Sequence, residues 1–319
     1  SAMQKVEVAR LSVLSNSVLV TLKLIVGLMI GSVSVISEAI HSGMDLIAAL
    51  IALFAVSVSS KPPDDEHQYG HGKVENVSGV IEALLIFVAA ILIIKEAVAK
   101  IMTGAQVQTP FWGMIVMLFS AAVNWVISYL LMKTARETDS IALEADALHL
   151  RTDVYTSAGV AVGMLLLWVT DIQLFDPLIA IGVALLIIKA AYDLTIKAFF
   201  PLLDTSLPQE EEAEIREIIK GFEPKMVLNF HALRTRKAGD QRFIDLHLVV
   251  PQYYHIATTH QVCDDIEVEI KDKYPGAQVL IHVEPCQIGK DCKGCGGWGQ
   301  CKIIQKRIDE QGFAPSETN

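Results

Sequence analysis

Residues 144–153 read Glu144-Ala145-Asp146-Ala147-Leu148-His149-Leu150-Arg151-Thr152-Asp153, and residues 37–45 read Ser37-Glu38-Ala39-Ile40-His41-Ser42-Gly43-Met44-Asp45. Both lie inside long apolar stretches, and both carry His and Asp four residues apart. An i, i+4 pair shares one face of a helix, so each stretch offers an imidazole beside a carboxylate. Two such helices facing each other supply two nitrogens and two oxygens around a point, a tetrahedral set suited to Zn²⁺. Ionisable groups at membrane depth are expensive and usually mark a substrate pathway. The alternative is two inward-facing couples that hydrogen-bond each other and bind nothing. That the spacing occurs twice weighs against it.

Working outward, six apolar spans are predicted at about 9–30, 34–58, 73–100, 110–133, 141–169 and 177–200, each near the length a bilayer requires. Gly31-Ser32 reads as a short turn, Lys61-Pro62-Pro63 ends the second span, and Gly104 to Pro110 divides the third from the fourth. Asp176-Pro177 opens the sixth, with proline at a first helical position. Ser1-Ala2-Met3 has the look of an expression scar and, with the rest of 1–8, is set apart from the fold. Lys5, Arg10, Lys61, Lys73, Lys133 and Arg136 cluster at the start and in the even-numbered loops. The first and fifth loops have no Lys or Arg, so both termini are expected in the cytoplasm of a multi-pass protein of the cell inner (plasma) membrane.

Composition agrees with a mixed chain. Of its 319 residues 52% are hydrophobic and only 19% charged, where soluble domains run nearer a quarter charged. A formal net charge of −10 argues against a nucleic-acid partner, since phosphate binding needs clustered Lys and Arg. An acidic surface beside a cation pathway instead raises the local cation concentration.

After Asp204 and Pro208 the chain reads as soluble. A Glu-rich amphipathic helix near 209–220 precedes alternating strands near 227–236 and 241–250, then a helix near 257–273 and a strand near 277–284. The order αββαβ suits a small open sheet with helices on one face. Ile244, Leu246 and Leu248, like Val279, Ile281 and Val283, belong on the core face. That parity puts His247, His282 and Glu284 on the other face, where His231 and His260 could join them. A third set, Asp64, His67 and His71, sits in the second loop; a merely polar loop at the membrane surface is the alternative.

These residues are where a resemblance appears. The chain resembles the cation diffusion facilitator family, in particular its bacterial zinc-type proton/metal antiporters. The likeness rests on the two runs quoted above, on Asp64 through Lys73 ending His71-Gly72-Lys73, and on His231-Ala232-Leu233-Arg234-Thr235-Arg236 and Ile281-His282-Val283-Glu284-Pro285-Cys286. The resemblance implies a homodimer of six-helix protomers (9–204) with a C-terminal α+β ferredoxin-like cytoplasmic domain (205–286). It maps a transport site onto His41, Asp45, His149 and Asp153, and an interfacial loop site onto Asp64, His67 and His71. A cytoplasmic binuclear site maps onto His231, His247, His260, His282 and Glu284. Well-known bacterial members carry Asp where this chain has His41, so their cation range is not carried over.

The expected activity is proton-coupled efflux of divalent cations, chiefly Zn²⁺ both transported and regulatory, with no organic cofactor and no enzymatic step. A filled His₂Asp₂ tetrahedron leaves no open position for a catalytic water, and no His-Glu-x-x-His helix is present. Metal needs neutral imidazoles and ionised carboxylates, so protons and metal compete for the same side chains. A membrane-anchored metal sensor is the alternative, as is a carrier whose main substrate is Fe²⁺, Co²⁺ or Cd²⁺. In the Cys/Gly-rich tail (287–319) with its preceding cysteine, Cys286, Cys292, Cys295 and Cys301 could hold a further ion. Reactive thiols without a metal are the alternative there.

Overall fold

A computed structural model describes residues 2–30, 33–103, 111–170, 174–223 and 226–286. The chain divides into two units, Ser1–Leu203 with Ala238–Asp240, and Asp204–Lys237 with Gln241–Asn319. The turns expected at Gly31-Ser32 and Gly104–Pro110, and the tail cysteines Cys292, Cys295 and Cys301, lie outside the described residues.

The first unit is all helix: α1 (Ala2–Ile30), α2 (Val33–Ser59), α3 (Lys73–Thr103), α4 (Phe111–Thr138), α5 (Ile141–Thr170) and α6 (Phe175–Phe199), followed by a 3₁₀ turn at Phe200–Leu203. Hydropathy located all six, but α1 begins seven residues before the expected start and α4 runs five beyond its expected end. Apolar runs end where lipid ends, whereas the backbone ladder continues as long as polar side chains find partners. Lys5 does so in the extension of α1, donating to Glu75 at 3.1 Å and to Asp240 at 2.8 Å. Five helices contain stretches long and apolar enough to cross a membrane: Met3–Met29, Ala39–Ser59, Lys73–Thr103, Ile115–Thr138 and Pro177–Leu203. The sixth, α5, carries Glu144, Asp146, Arg151 and Asp153 in its first half.

Small side chains let these helices approach closely. Ala48, Ala52, Ala83, Ala90, Ala145, Ala184 and Ala198 are all fully buried, as expected where apolar burial alone gives little drive between helices in lipid. Glu75 of α3, fully buried, ties three other segments together. It accepts from Lys5, from Ser59 Oγ at 2.8 Å and from Ser140 Oγ at 2.5 Å.

The second unit has the order α7 (Gln209–Lys220), β1 (Asn229–Ala238), β2 (Gln241–Val250), α8 (Ile256–Lys273) and β3 (Gln278–Pro285). The αββαβ order expected from the sequence is thus present. The sheet runs β1-β2-β3 with β2 parallel to β3, and α8 makes the crossover. Ile215 and Ile219 of α7 and Val262, Ile266 and Ile270 of α8 recur at helical spacing and pack on Ile244, Leu246 and Leu248. The protein is therefore a helical membrane protein with a C-terminal α+β domain of the ferredoxin-like kind.

Candidate metal centres

In the first unit, α2 and α5 bring the four expected residues together, but the pairs are crossed. His41 Nε2 lies 3.2 Å from Asp153 Oδ1, and His149 Nε2 lies 3.1 Å from Asp45 Oδ1. Each imidazole therefore meets the carboxylate of the other helix rather than the one four residues along its own. Ligand atoms of His41, Asp45 and Asp153 fall within 4.8 Å of one another. Asp45 and His149 are buried at 2% and 8% exposure, while the His41 side chain is 54% exposed. The site thus opens on the His41 side.

Sequence reasoning missed the surroundings of this site. Asn124 of α4 donates from Nδ2 to Asp153 Oδ2 at 3.2 Å, and Lys23 of α1 donates to Ser42 at 2.7 Å. Glu82 and Asp146 are carboxylates with no exposure, on α3 and α5. A signal existed for Asn124: Ser120, Asn124 and Ser128 stand four apart in the apolar part of α4 before Lys133, all buried. Two of the three meet polar groups of α5: Asn124 at Asp153, and Ser128 Oγ, which donates to the Ala147 carbonyl at 2.8 Å.

The second-loop residues also converge. Asp64 lies 3.2 Å from both His67 Nδ1 and His71 Nε2, and the two imidazole rings are 4.5 Å apart. The Asp64 carboxylate also accepts the His67 backbone N–H at 2.6 Å, which, with the imidazole contacts, holds its carboxyl below the ordinary range. An ionised oxygen and two imidazoles fit a divalent transition cation.

On the sheet, Glu284 of β3 accepts from His231 Nε2 at 2.9 Å and His247 Nδ1 at 2.8 Å. Those two hydrogen bonds hold its carboxyl below the ordinary range. His247 and His282 are register partners across β2 and β3, with rings 4.7 Å apart. His231 reaches this face through a break in the pleat. Phe230 and Leu233 both pack on the core although they are three apart, a spacing that simple alternation forbids. Ala232 between them has φ of +51°, a left-handed residue that resets the alternation as at a bulge. His231 is left facing His247, at 5.1 Å between rings. His260 stands elsewhere: it sits on α8, which covers the aliphatic face, and pairs with Asp264 at 3.1 Å. Cys286 is buried against Val249, and its N–H bonds to the Val250 carbonyl.

Membrane helices that gather two imidazoles and two carboxylates at one point, joined to a domain bearing a second imidazole–carboxylate cluster, define a carrier of metal cations rather than an enzyme. The chain belongs to the cation efflux family, whose transmembrane domain matches residues 9–203 and whose cytoplasmic domain matches residues 207–286. It is 35% identical to an uncharacterised transporter of Synechocystis sp., over 81% of this chain and 83% of that one. It is 32% identical to the cation-efflux pump FieF of Pectobacterium atrosepticum, over 80% of this chain and 84% of that one. A solved structure of CzrB in a zinc form is 38% identical and covers 26% of this chain and 92% of that chain, at a TM-score of 0.25.

Proposed function

We propose that this protein exports Zn²⁺ from the cytoplasm in exchange for protons, with His41, Asp45, His149 and Asp153 as the transport site. The crossed His–Asp pairing carries this reading. In each pair the imidazole and carboxylate share a hydrogen bond, so the side chains that would ligate a cation are already converged and hold a proton between them. A divalent cation entering the cluster displaces those protons and bridges α2 to α5, and protons returning from the other side release it. Two nitrogens favour Zn²⁺ over hard Mn²⁺, and the Irving–Williams order favours it over Fe²⁺.

The loop set Asp64, His67 and His71, and the sheet set His231, His247, His282 and Glu284, suit bound zinc that senses its cytoplasmic level. A homodimer in the inner membrane with both termini in the cytoplasm gives the sheet cluster access to that pool. His260 would enter such a site only from a second copy or after movement of α8. The chemistry asked of the zinc is structural bridging, and no reaction passes through it.

Flux from reconstituted vesicles tests the reading. Zinc movement should follow an imposed pH gradient, and Asp45→Ala should abolish it while the purified protein keeps its dimeric elution. Zinc bound but not moved by the parent would make the protein a sensor. Near-parental flux in Asp45→Ala would move the transport site elsewhere.

A further inference from the structure

Asn124 has a buried acceptor that its own contacts leave unused. The residue is 4% exposed, on the face of α4 that packs against α5. Its Nδ2 donates to Asp153 Oδ2, whose other oxygen meets His41 Nε2. With the amide nitrogen turned to the carboxylate, Oδ1 has no hydrogen-bond partner among the described residues. The opposite amide orientation would set two oxygens against each other, so the assignment follows from charge. A carbonyl oxygen buried in a membrane unit without a donor is costly by a few kcal/mol, and this one belongs to the side chain that holds Asp153.

We propose that Asn124 is a fifth residue of the cation site, with two parts to play. Through Nδ2 it fixes the Asp153 carboxylate, so that one oxygen remains aimed at His41 and the incoming ion. Through Oδ1 it offers a neutral oxygen donor that completes the shell of a cation larger than Zn²⁺. Zinc is satisfied by four ligands, whereas larger divalent ions take more oxygens. Asn124 therefore sets how well the site accepts Cd²⁺, against the narrowing expected from His41. This inference rests on the transport-site reading above.

The test compares Zn²⁺ and Cd²⁺ uptake by vesicles holding the full-length parent, Asn124→Ala and Asn124→Ser. Loss of a residue that orients a ligand costs about ten- to a hundredfold in metal affinity. Asn124→Ala should raise the KM for Zn²⁺ by about tenfold with maximal rate within about twofold, and should depress Cd²⁺ uptake further than Zn²⁺. Asn124→Ser, with a donor and an acceptor on a shorter arm, should recover part of the Zn²⁺ KM and serves in its place if the alanine variant does not assemble. Equal loss for both metals, or a fall in maximal rate alone, would reduce Asn124 to helix packing and overturn the proposal. Asp45→Ala in parallel separates the two readings. If it is inactive while Asn124 variants match the parent, only this inference fails; if it transports, the site itself is misplaced.

Discussion

At the scale of single residues, the four side chains at the centre were legible because their spacing is helical and repeats. Their pairing was not, since an i, i+4 rule describes one helix at a time and the observed partners belong to two. The same limit hid Asn124, which bears on the site only through contact with α5. His41 is the exposed member of the cluster, and so the one whose exchange least disturbs packing. His41→Asp replaces a borderline nitrogen with a hard, adaptable oxygen, leaving one imidazole and three carboxylates. The ratio of Cd²⁺ to Zn²⁺ flux should then rise, by about an order of magnitude if one ligand's preference is expressed in full. Competition uptake with both ions checks this, and an unchanged ratio would remove His41 from the selectivity of the site.

At the scale of elements, periodicity gave the helices and strands, and it lost accuracy where tertiary contacts extend or bend them. The added turns of α1 exist because Lys5 has a buried partner, a fact that no hydropathy window contains. In β1, strict alternation would have placed Phe230 and Leu233 on opposite faces. The left-handed Ala232, which costs about 1–2 kcal/mol for a residue with a side chain, inverts the second half of the strand. His247 and Glu284 could be assigned by parity because β2 and β3 alternate cleanly; His231 could not. The Glu75 cluster yields a stability prediction at this scale. Glu75→Ala leaves Lys5 with Asp240 alone, strips Ser140 Oγ of the Glu75 acceptor and leaves Ser59 Oγ with the Val56 carbonyl. Breaking a buried ion pair from one side costs about 3–5 kcal/mol. Thermal unfolding in detergent should show a Tm lowered by several degrees, whereas Glu75→Gln, which keeps the side-chain volume and one acceptor oxygen for one of the two serines, should lose less. Equal loss in the two variants would assign the effect to the Glu75 charge alone.

At the scale of the whole molecule, the first unit and the sheet face of the second each hold an imidazole–carboxylate cluster that could bind a metal ion. If zinc on His231, His247, His282 and Glu284 favours a transport-competent arrangement, it does so only by binding that arrangement more tightly than the alternative. Its removal should shift the zinc concentration at which transport becomes active rather than the rate at saturation. The pair His247→Ala and His282→Ala tests this, because both side chains lie on the uncovered sheet face and their loss leaves the aliphatic core intact. Half-maximal zinc should rise by about tenfold, with saturating flux within about twofold of the parent. The pH dependence has a definite sign. Glu284 is held below its ordinary value of 4.5, first by His231 and then by His247. A depressed carboxyl stabilises the fold above its unfolded pKa and loses that contribution only as pH falls through the folded value. Glu284 thus remains ionised across mild acidification, and protons compete with zinc for the imidazoles beside it. Lowering cytoplasmic-side pH from about 7.5 to about 6 should weaken the zinc response of the parent, and the double variant should show much less of that change. An identical pH shift in both proteins would place the proton sensitivity at the transport site and leave the sheet face without a regulatory part.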